Sequence, residues 1–313
     1  MTRWGLVATI KAEAHEILGF AAHHLEAGAH RLFLYLDAPC PAAMVLLEAH
    51  PKIRVTLCDR AYWDRNHGYR PGKHQVRQAL NATRAYQKQA RDVDWLIHMD
   101  VDEFIAGPAP LAAVLAAQPT EQQALRIRPA EALAGSDTHF KRFLGNAPKT
   151  RDLIDQVYPE FGRYLRGGFL SHLQGKVLLR TGMGAVEVKI HNGFLDGEIP
   201  AADLEGWDLC HFHSPDWDRW LANFNYRLDR GSYREGLAAA RPNTQPLHHV
   251  LSALYHSEGE AGLHRFFAEV CADSPALRQR LAAVNGICQH ALNRAETRSR
   301  HFPQFGQSAT NKA

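Results

Sequence analysis

Cysteine is scarce in this chain. The five cysteines, Cys40, Cys58, Cys210, Cys271 and Cys288, are scattered, odd in number and contain no C-x-x-C pair. That arrangement excludes a disulfide framework and a zinc ribbon, and it fits a reducing compartment. Long apolar runs are missing as well. The opening MTRWGLVATIKAEAHEIL is interrupted by Lys11, Glu13 and Glu16, unlike a secretion-signal core, and no stretch approaches the roughly 20 residues of a membrane span. A cytoplasmic protein without a transmembrane segment is therefore expected. An excess of one charge is also absent: 36 Lys+Arg against 33 Asp+Glu leave +3, so nucleic-acid binding does not follow from charge and any anion site must be local. There is no internal repeat and no low-complexity linker. Histidine is abundant, at 19, but most histidines lie singly or in pairs without H-x-x-x-H or H-E-x-x-H spacing, so most are expected at the surface or in the core.

What is present is an ordinary globular composition, 313 residues with 45% hydrophobic and 22% charged, enough for one large α/β domain or a domain with a helical extension. GLVATI (5–10), RLFLYL (31–36), IRVTLC (53–58) and DWLIHM (94–99) read as buried strands, each of the usual length. Helical patterns separate them. Ile17, Leu18, Ala21 and Leu25 recur at helical spacing before Gly28, PAAMVLLEAHP is bracketed by prolines, and residues 74–90 have helix-forming composition with Val76, Ala79 and Leu80 assigned to the inner face. Alternation of this kind implies βαβ units and an open, mostly parallel, doubly wound sheet. Residues 106–230 are less regular, with strand-like LRIR (125–128) and VEVKIH (186–191). Helical patterns return from about Gly236, and a polar, frayed tail is expected from about Glu296. The expected organisation is a domain over 1–230, with halves 1–105 and 106–230, and a helical extension over 231–313.

Open parallel sheets bind ligands beyond the carboxyl ends of their strands. The residues in that place are Lys11 and Glu13, Asp37, Asp59 and Arg60, and then Asp100, Asp102 and Glu103, a strongly ionic edge for so apolar a sheet. In WLIHMDVDEF, an apolar strand delivers Asp100 and Asp102 one residue apart. Two carboxylates so placed can share Mg²⁺ or Mn²⁺ with a diphosphate, the ion acting as a Lewis acid on the leaving group. The bland alternative is a solvated acidic turn. Of the cations before strand four, Arg70 and Lys73 sit in a loop and first turn where they can meet phosphate oxygens, with Lys176 and Arg180 as rivals. Arg84, Lys88 and Arg91 read as a solvated face. Trp217 and Trp220, at i, i+3, read as core.

DVDEF after DWLIHM resembles the D-x-D-E-F signature of a family 2-like group of GT-A glycosyltransferases, related to glycosyltransferase family 92. The resemblance covers roughly residues 5–230. The N-E pair, H-x-x-x-G and aspartate of that group's opening correspond to Ala12-Glu13, His24/Gly28 and Asp37. Gln75 and Asn81 match the helix before the D-x-D, and Lys176, His191 and the H-x-x-S of His211 and Ser214 follow in the same order. The chain departs from the pattern after strand two, where Asp37-Ala38-Pro39-Cys40 replaces a run of Asp, Ser and Asp, and at Ala12, which replaces asparagine.

The resemblance implies a GT-A-like fold and an inverting, metal-dependent glycosyltransferase. The donor would be a nucleotide-diphosphate sugar, a UDP-sugar favoured, and the acceptor a glycan or glycoconjugate of polysaccharide biosynthesis. Lys11, Glu13, Asp37, Arg70, Lys73, Gln75, Asp100 and Lys176 would line the donor site, with Asp37 on the base or ribose. Asp100 and Asp102 would hold Mn²⁺ or Mg²⁺ with His211 or His213, and inversion needs a carboxylate base. Glu131, Asp137, Glu187, Asp196, Glu205 and Asp208 are candidates, with Asp137 preferred. Two rival readings stand beside this one. A haloacid-dehalogenase-like phosphatase also uses D-x-D, but it needs a small residue where Phe104 stands and its motif usually opens the chain. A non-catalytic nucleotide- or sugar-binding domain is favoured only by the altered segment after strand two.

Overall fold

The computed structural model describes residues 1–305. In its first third the elements are β1 Trp4–Ile10, α1 Ala14–Glu26, β2 Arg31–Leu36, α2 Pro41–Glu48, β3 Ile53–Leu57, α3 Arg60–His67, α4 His74–Arg84 and β4 Trp95–His98. Then come β5 Glu103–Ala106, α5 Leu111–Ala116, β6 Ala124–Ala132, β7 His139–Arg142, α6 Arg151–Val157, β8 Lys176–Arg180, β9 Glu187–Val188, β10 Gly193–Phe194 and β11 Ala202–His211. The last are α7 Trp217–Ala222, α8 Phe224–Asp229, α9 Leu247–Glu258, α10 Glu260–Val270, α11 Pro275–Ala283, β12 Ile287–Gln289 and α12 Arg294–His301. Among the described residues no helix is long and apolar enough to cross a membrane.

Contacts divide the chain into two compact units. Of the described residues, the first holds 1–128, 174–209 and 292–305; the second holds 129–173 and 210–291. The boundary expected at 230 falls inside the second unit.

In the first unit, the four apolar runs read from the sequence are strands β1 to β4. β1 pairs in parallel with β2 and β4, and β2 with β3. β8 then pairs antiparallel with β4 and with the start of β6. The result is an open α/β sheet in which β1 to β4 run parallel. All seven residues of β1 are buried, as a central strand covered on both faces requires. One core joins Val7, Phe33, Trp63, Tyr86, Leu96 and Leu179, each such large side chain contributing on the order of 2 kcal/mol by burial. α1 ends where Gly28 takes φ +89°, a left-handed conformation that favours glycine.

Three expectations change here. Residues 294–301 form α12 instead of fraying, because Arg300 and His301 both pair with Glu26 of α1; the tail beyond 305 lies outside the described residues. α4 gives way at Arg84 to a π-helical turn over Ala85–Gln89. Of VEVKIH, only Glu187–Val188 pairs as a strand.

In the second unit, the end of β6 pairs antiparallel with β7, and β7 with β12. The helices expected from Gly236 onward are there. Trp220, Phe224, Leu251, Leu263, Phe266 and Leu281 share a core with Leu133, Ile154, Val157 and Phe161. These helices complete a core begun by residues 133–170.

Candidate functional site

The inner face of α4 is polar. Val76, expected inside, is 41% exposed, while Arg77, Gln78 and Asn81 are buried. With His74 they stand at i, i+3, i+4 and i+7, one helical stripe, and each reaches a different strand end or neighbour. Arg77 donates to Asp37 Oδ2 from Nε at 2.9 Å and from Nη2 at 2.5 Å, to Oδ1 from Nε at 3.0 Å, and through Nη1 to the carbonyls of Pro71 and Gly72. Asn81 donates to Thr9 Oγ1 at 3.0 Å and accepts from the Tyr62 hydroxyl at 2.6 Å. Gln78 donates to Asp100 Oδ1.

Asp37, at the end of β2, also accepts from Arg70 Nη2 at 3.0 Å, and His74 Nδ1 lies 3.6 Å from its other oxygen. Its side chain is 1% exposed. Burial pushes its carboxyl pKa up, but the bonds from His74, Arg77 and Arg70 outweigh burial and hold it well below the usual carboxylate range. Asp37 thus anchors two guanidinium groups. Arg70 remains half exposed and lines a cleft of about 610 Å³ with Pro39, Leu57, Asp59, Trp63 and Tyr69, a volume in the range of small-ligand sites. Asp59 accepts from the Tyr62 N–H at 2.8 Å and so caps α3. Cys58, in the floor, has its thiol pKa pushed up by burial to about 12, so it stays protonated.

Between β4 and β5 the D-x-D turn closes on itself. The Glu103 N–H donates to the Asp100 carbonyl at 3.1 Å, and the Glu103 carboxylate accepts from the Asp100 N–H at 2.8 Å. Lys176, fully buried at the start of β8, donates to Asp100 Oδ2 at 2.6 Å and lies 3.4 Å from Glu103 Oε2. Burial pushes its pKa down, but the charges of Asp100 and then Glu103 prevail and raise it. Asp100 keeps 30% of its side chain exposed. His98, buried beside this group, has its pKa lowered to about 4 by burial first and the Lys176 charge second, so it is neutral at pH 7. Phe104, after the acid pair, packs against His23 and His24 at 5.2 and 6.0 Å between ring centroids. A large aromatic there serves the core.

The donor set suits a hard divalent ion: carboxylates at Asp100 and Asp102 on a rigid turn, of the kind Mg²⁺ and Mn²⁺ take. An ion on Asp100 would share that carboxylate with Lys176 and Gln78, and Asp102 beside it is partly buried.

The other residues expected at the donor site lie outside this network as described. Lys11, Lys73 and Gln75 are exposed. Glu13 caps α1, its N–H donating to Glu16. Gln75 faces away while Gln78, three residues on, makes the contact. The helical period separates these two glutamines, and it would have selected Gln78 had the polar residues been allowed to face inward.

In the second unit Glu131 and Lys141, neighbours across β6 and β7, form a buried pair at 2.8 Å. Glu131 also accepts from the N–H groups of Leu170 and Ser171 at 3.1 and 2.7 Å, and Lys141 donates to the Val270 carbonyl at 2.9 Å. Burial pushes the Glu131 carboxyl up, but the Lys141 charge prevails and brings it down to about 2. A carboxylate so occupied is no general base. Asp137 is exposed on the loop between β6 and β7. His211 is 6% exposed, with the His172 and His213 rings 5.0 and 5.6 Å away. Trp220 lies in the core, and Trp217, half-buried, stacks on it at 5.6 Å between centroids.

No family model matches the chain, and no curated protein matches it. Two solved structures show a low likeness. One is titled a mycobacterial protein, with 16% identity and a TM-score of 0.32, covering 57% of this chain and 53% of that one. The other is glucosyl-3-phosphoglycerate synthase from Mycobacterium tuberculosis in complex with phosphoglyceric acid, with 16% identity and a TM-score of 0.30, covering 57% of each chain. The match spans little more than half of either structure.

Proposed function

We propose that the chain is a metal-dependent, inverting glycosyltransferase acting on a nucleotide-diphosphate sugar, with a UDP-sugar as favoured donor and a glycan as acceptor. The observation that carries this reading is the polar face of α4. Through Arg77 and Gln78 it ties the carboxylates of Asp37 and Asp100 to one edge of a parallel sheet, beside a cleft of about 610 Å³, where open α/β sheets bind their ligands.

In this reading Arg70, held on Asp37, donates to the nucleotide from the cleft wall. Asp100 is held by Gln78 and Lys176, and Asp102 presents its carboxylate to the divalent ion. That ion supplies Lewis acidity at the departing diphosphate. Lys176 keeps the acid turn from repelling itself before donor and metal arrive. Asp137 is assigned as the base that takes the acceptor proton.

The test incubates the protein with Mn²⁺, a panel of nucleotide sugars and a generic phosphate monoester. Slow hydrolysis of one nucleotide sugar to free sugar and nucleoside diphosphate, lost in Asp102→Asn, is expected. Phosphate release from the monoester, lost in Asp100→Asn, without turnover of any nucleotide sugar, overturns the reading in favour of an aspartyl-phosphate mechanism.

A further inference from the structure

We propose that Arg294, the first residue of α12, is a positioning residue for the D-x-D turn: through Phe104 it fixes β5 and with it the carboxylates of the turn. An ion held by the turn is then coupled to the docking of the C-terminal helix. That coupling rests on the reading of Asp100 and Asp102 as the ion's ligands, and every residue involved belongs to the first unit.

The first support is how β5 is held. This strand follows the turn directly and takes its strand partner from β11, so its position also depends on what its side chains rest on. Glu103 reaches back to the Asp100 N–H at 2.8 Å, and a shift of β5 is passed to the turn through that bond. Phe104 packs on Phe20, His23 and His24 of α1 at 6.2, 5.2 and 6.0 Å between ring centroids. The Arg294 guanidinium lies over the same ring, 5.4 Å from its centroid, within the reach of a cation–π contact. α1 and α12 thus hold one aromatic ring just beyond the acid turn.

The second support is a bridge through His23. Its Nε2 donates to the Ile105 carbonyl at 2.9 Å, and a second backbone bond joins the same imidazole to Leu292, just before Arg294 in the chain. One buried ring therefore ties β5 to the segment that enters α12. Asn293 then takes a left-handed φ of +46°, which asparagine tolerates, and this turn starts the helix at Arg294.

The third support is that α12 is fixed at its far end as well. Arg300 and His301 each pair with Glu26 of α1 at 2.8 Å, Thr297 and Phe302 are buried, and the Phe302 ring lies 6.3 Å from that of His50. A helix anchored at both ends, with one end on Phe104, is a rigid element that can carry coupling to the turn. Such coupling is reciprocal: what Arg294 contributes to ion binding, the ion returns to the docking of α12.

The test titrates the full chain with Mn²⁺ by calorimetry, following the Mn²⁺ that is lost in Asp102→Asn, and measures amide hydrogen exchange with and without the ion. Arg294→Ala is expected to weaken Mn²⁺ binding at least about fivefold, the lower end of usual coupling. Arg298→Ala, on the same helix but over Phe305 at 5.4 Å, should change it by less than about twofold. In the wild type Mn²⁺ should slow exchange over α12 at least about fivefold, and Asp102→Asn should abolish the slowing; an arginine that only packs the core would produce no such response. Thermal unfolding confirms that each variant is folded, and if Arg294→Ala is not, Arg294→Met, which keeps the stem without the charge, decides. Mn²⁺ affinity within about twofold of wild type in a folded Arg294 variant, or α12 exchange indifferent to bound Mn²⁺, overturns the proposal. If the wild type binds no Mn²⁺, the metal reading fails by itself and exchange without metal decides the positioning: faster exchange over residues 99–106 in Arg294→Ala, with β1 to β3 unchanged, upholds it, and unchanged exchange overturns it. Mn²⁺ binding that responds to Arg294 without turnover of any nucleotide sugar upholds this proposal and overturns the glycosyl-transfer reading; turnover with Mn²⁺ binding indifferent to Arg294 does the reverse.

Discussion

Each unit contains a fully buried lysine bound to carboxylates, and the two clusters differ in where they end. Lys141 and Glu131 are 1% and 3% exposed, and they bond further to the backbone at Val270, Leu170 and Ser171, all of it buried or nearly so. Lys176 is equally buried, and Glu103 with it, but its other partner Asp100 is 30% exposed. A closed pair can only hold structure together. A pair that ends on a partly exposed carboxylate presents charge to a ligand while the protein neutralises that charge from behind. The difference separates a scaffold from a candidate site even though the residue types are the same.

The largest effect that tests the contrast is Glu131→Gln. It leaves the Lys141 ammonium buried without its counter-charge, and a loss of about 3–5 kcal/mol is expected in denaturant unfolding. A loss below about 1 kcal/mol would show that the pair is not closed. The pH arm follows from the same residue. The Glu131 pKa is lower in the folded protein, about 2, than the ordinary value near 4.3. The folded state therefore binds fewer protons than the unfolded one, so this stabilisation is complete above the ordinary value and is lost as pH falls through it toward about 2. The variant's stability should fall less steeply than the wild type's over that window.

Asp100→Asn should cost less, about 1–2 kcal/mol, because Lys176 keeps Glu103 and the exposed side of Asp100 is screened by solvent. In return it should abolish the rise in melting temperature produced by nucleotide with Mn²⁺. A stability loss matching that of Glu131→Gln, with nucleotide binding intact, would reverse the roles assigned to the two clusters.

Gln78→Ala should have the smallest effect on stability, about 0.5–1.5 kcal/mol for one hydrogen bond, while still weakening the nucleotide shift. An unchanged shift would show that Asp100 is positioned by Lys176 alone.

The sheet and its acidic edge were readable from the chain because each feature is local. β1 to β4 are short apolar runs, and Asp37, Asp59 and Asp100 follow them directly, so strand length and position suffice. The D-x-D turn was readable for the same reason. The inner face of α4 was not. Hydrophobic periodicity assigned Val76, Ala79 and Leu80 to the inside, whereas Arg77, Gln78 and Asn81 turn inward because Asp37, Asp100 and Thr9 wait there as partners. A buried polar face and a solvated one look alike until those partners are known.

The cysteine pattern, the four apolar strands and the carboxylates after them were determined by the sequence alone, since each depends on neighbours within a few residues. The pairing of Glu131 with Lys141 depends on the register of β6 against β7. The meeting of His172 with His211 depends on two segments 39 positions apart in the chain, and the exposure of Asp100 beside a buried Lys176 depends on β8 pairing with β4. Only tertiary structure decided these, because a buried charge is stable only beside its counter-charge, and residues far apart in sequence become neighbours only when the chain has packed.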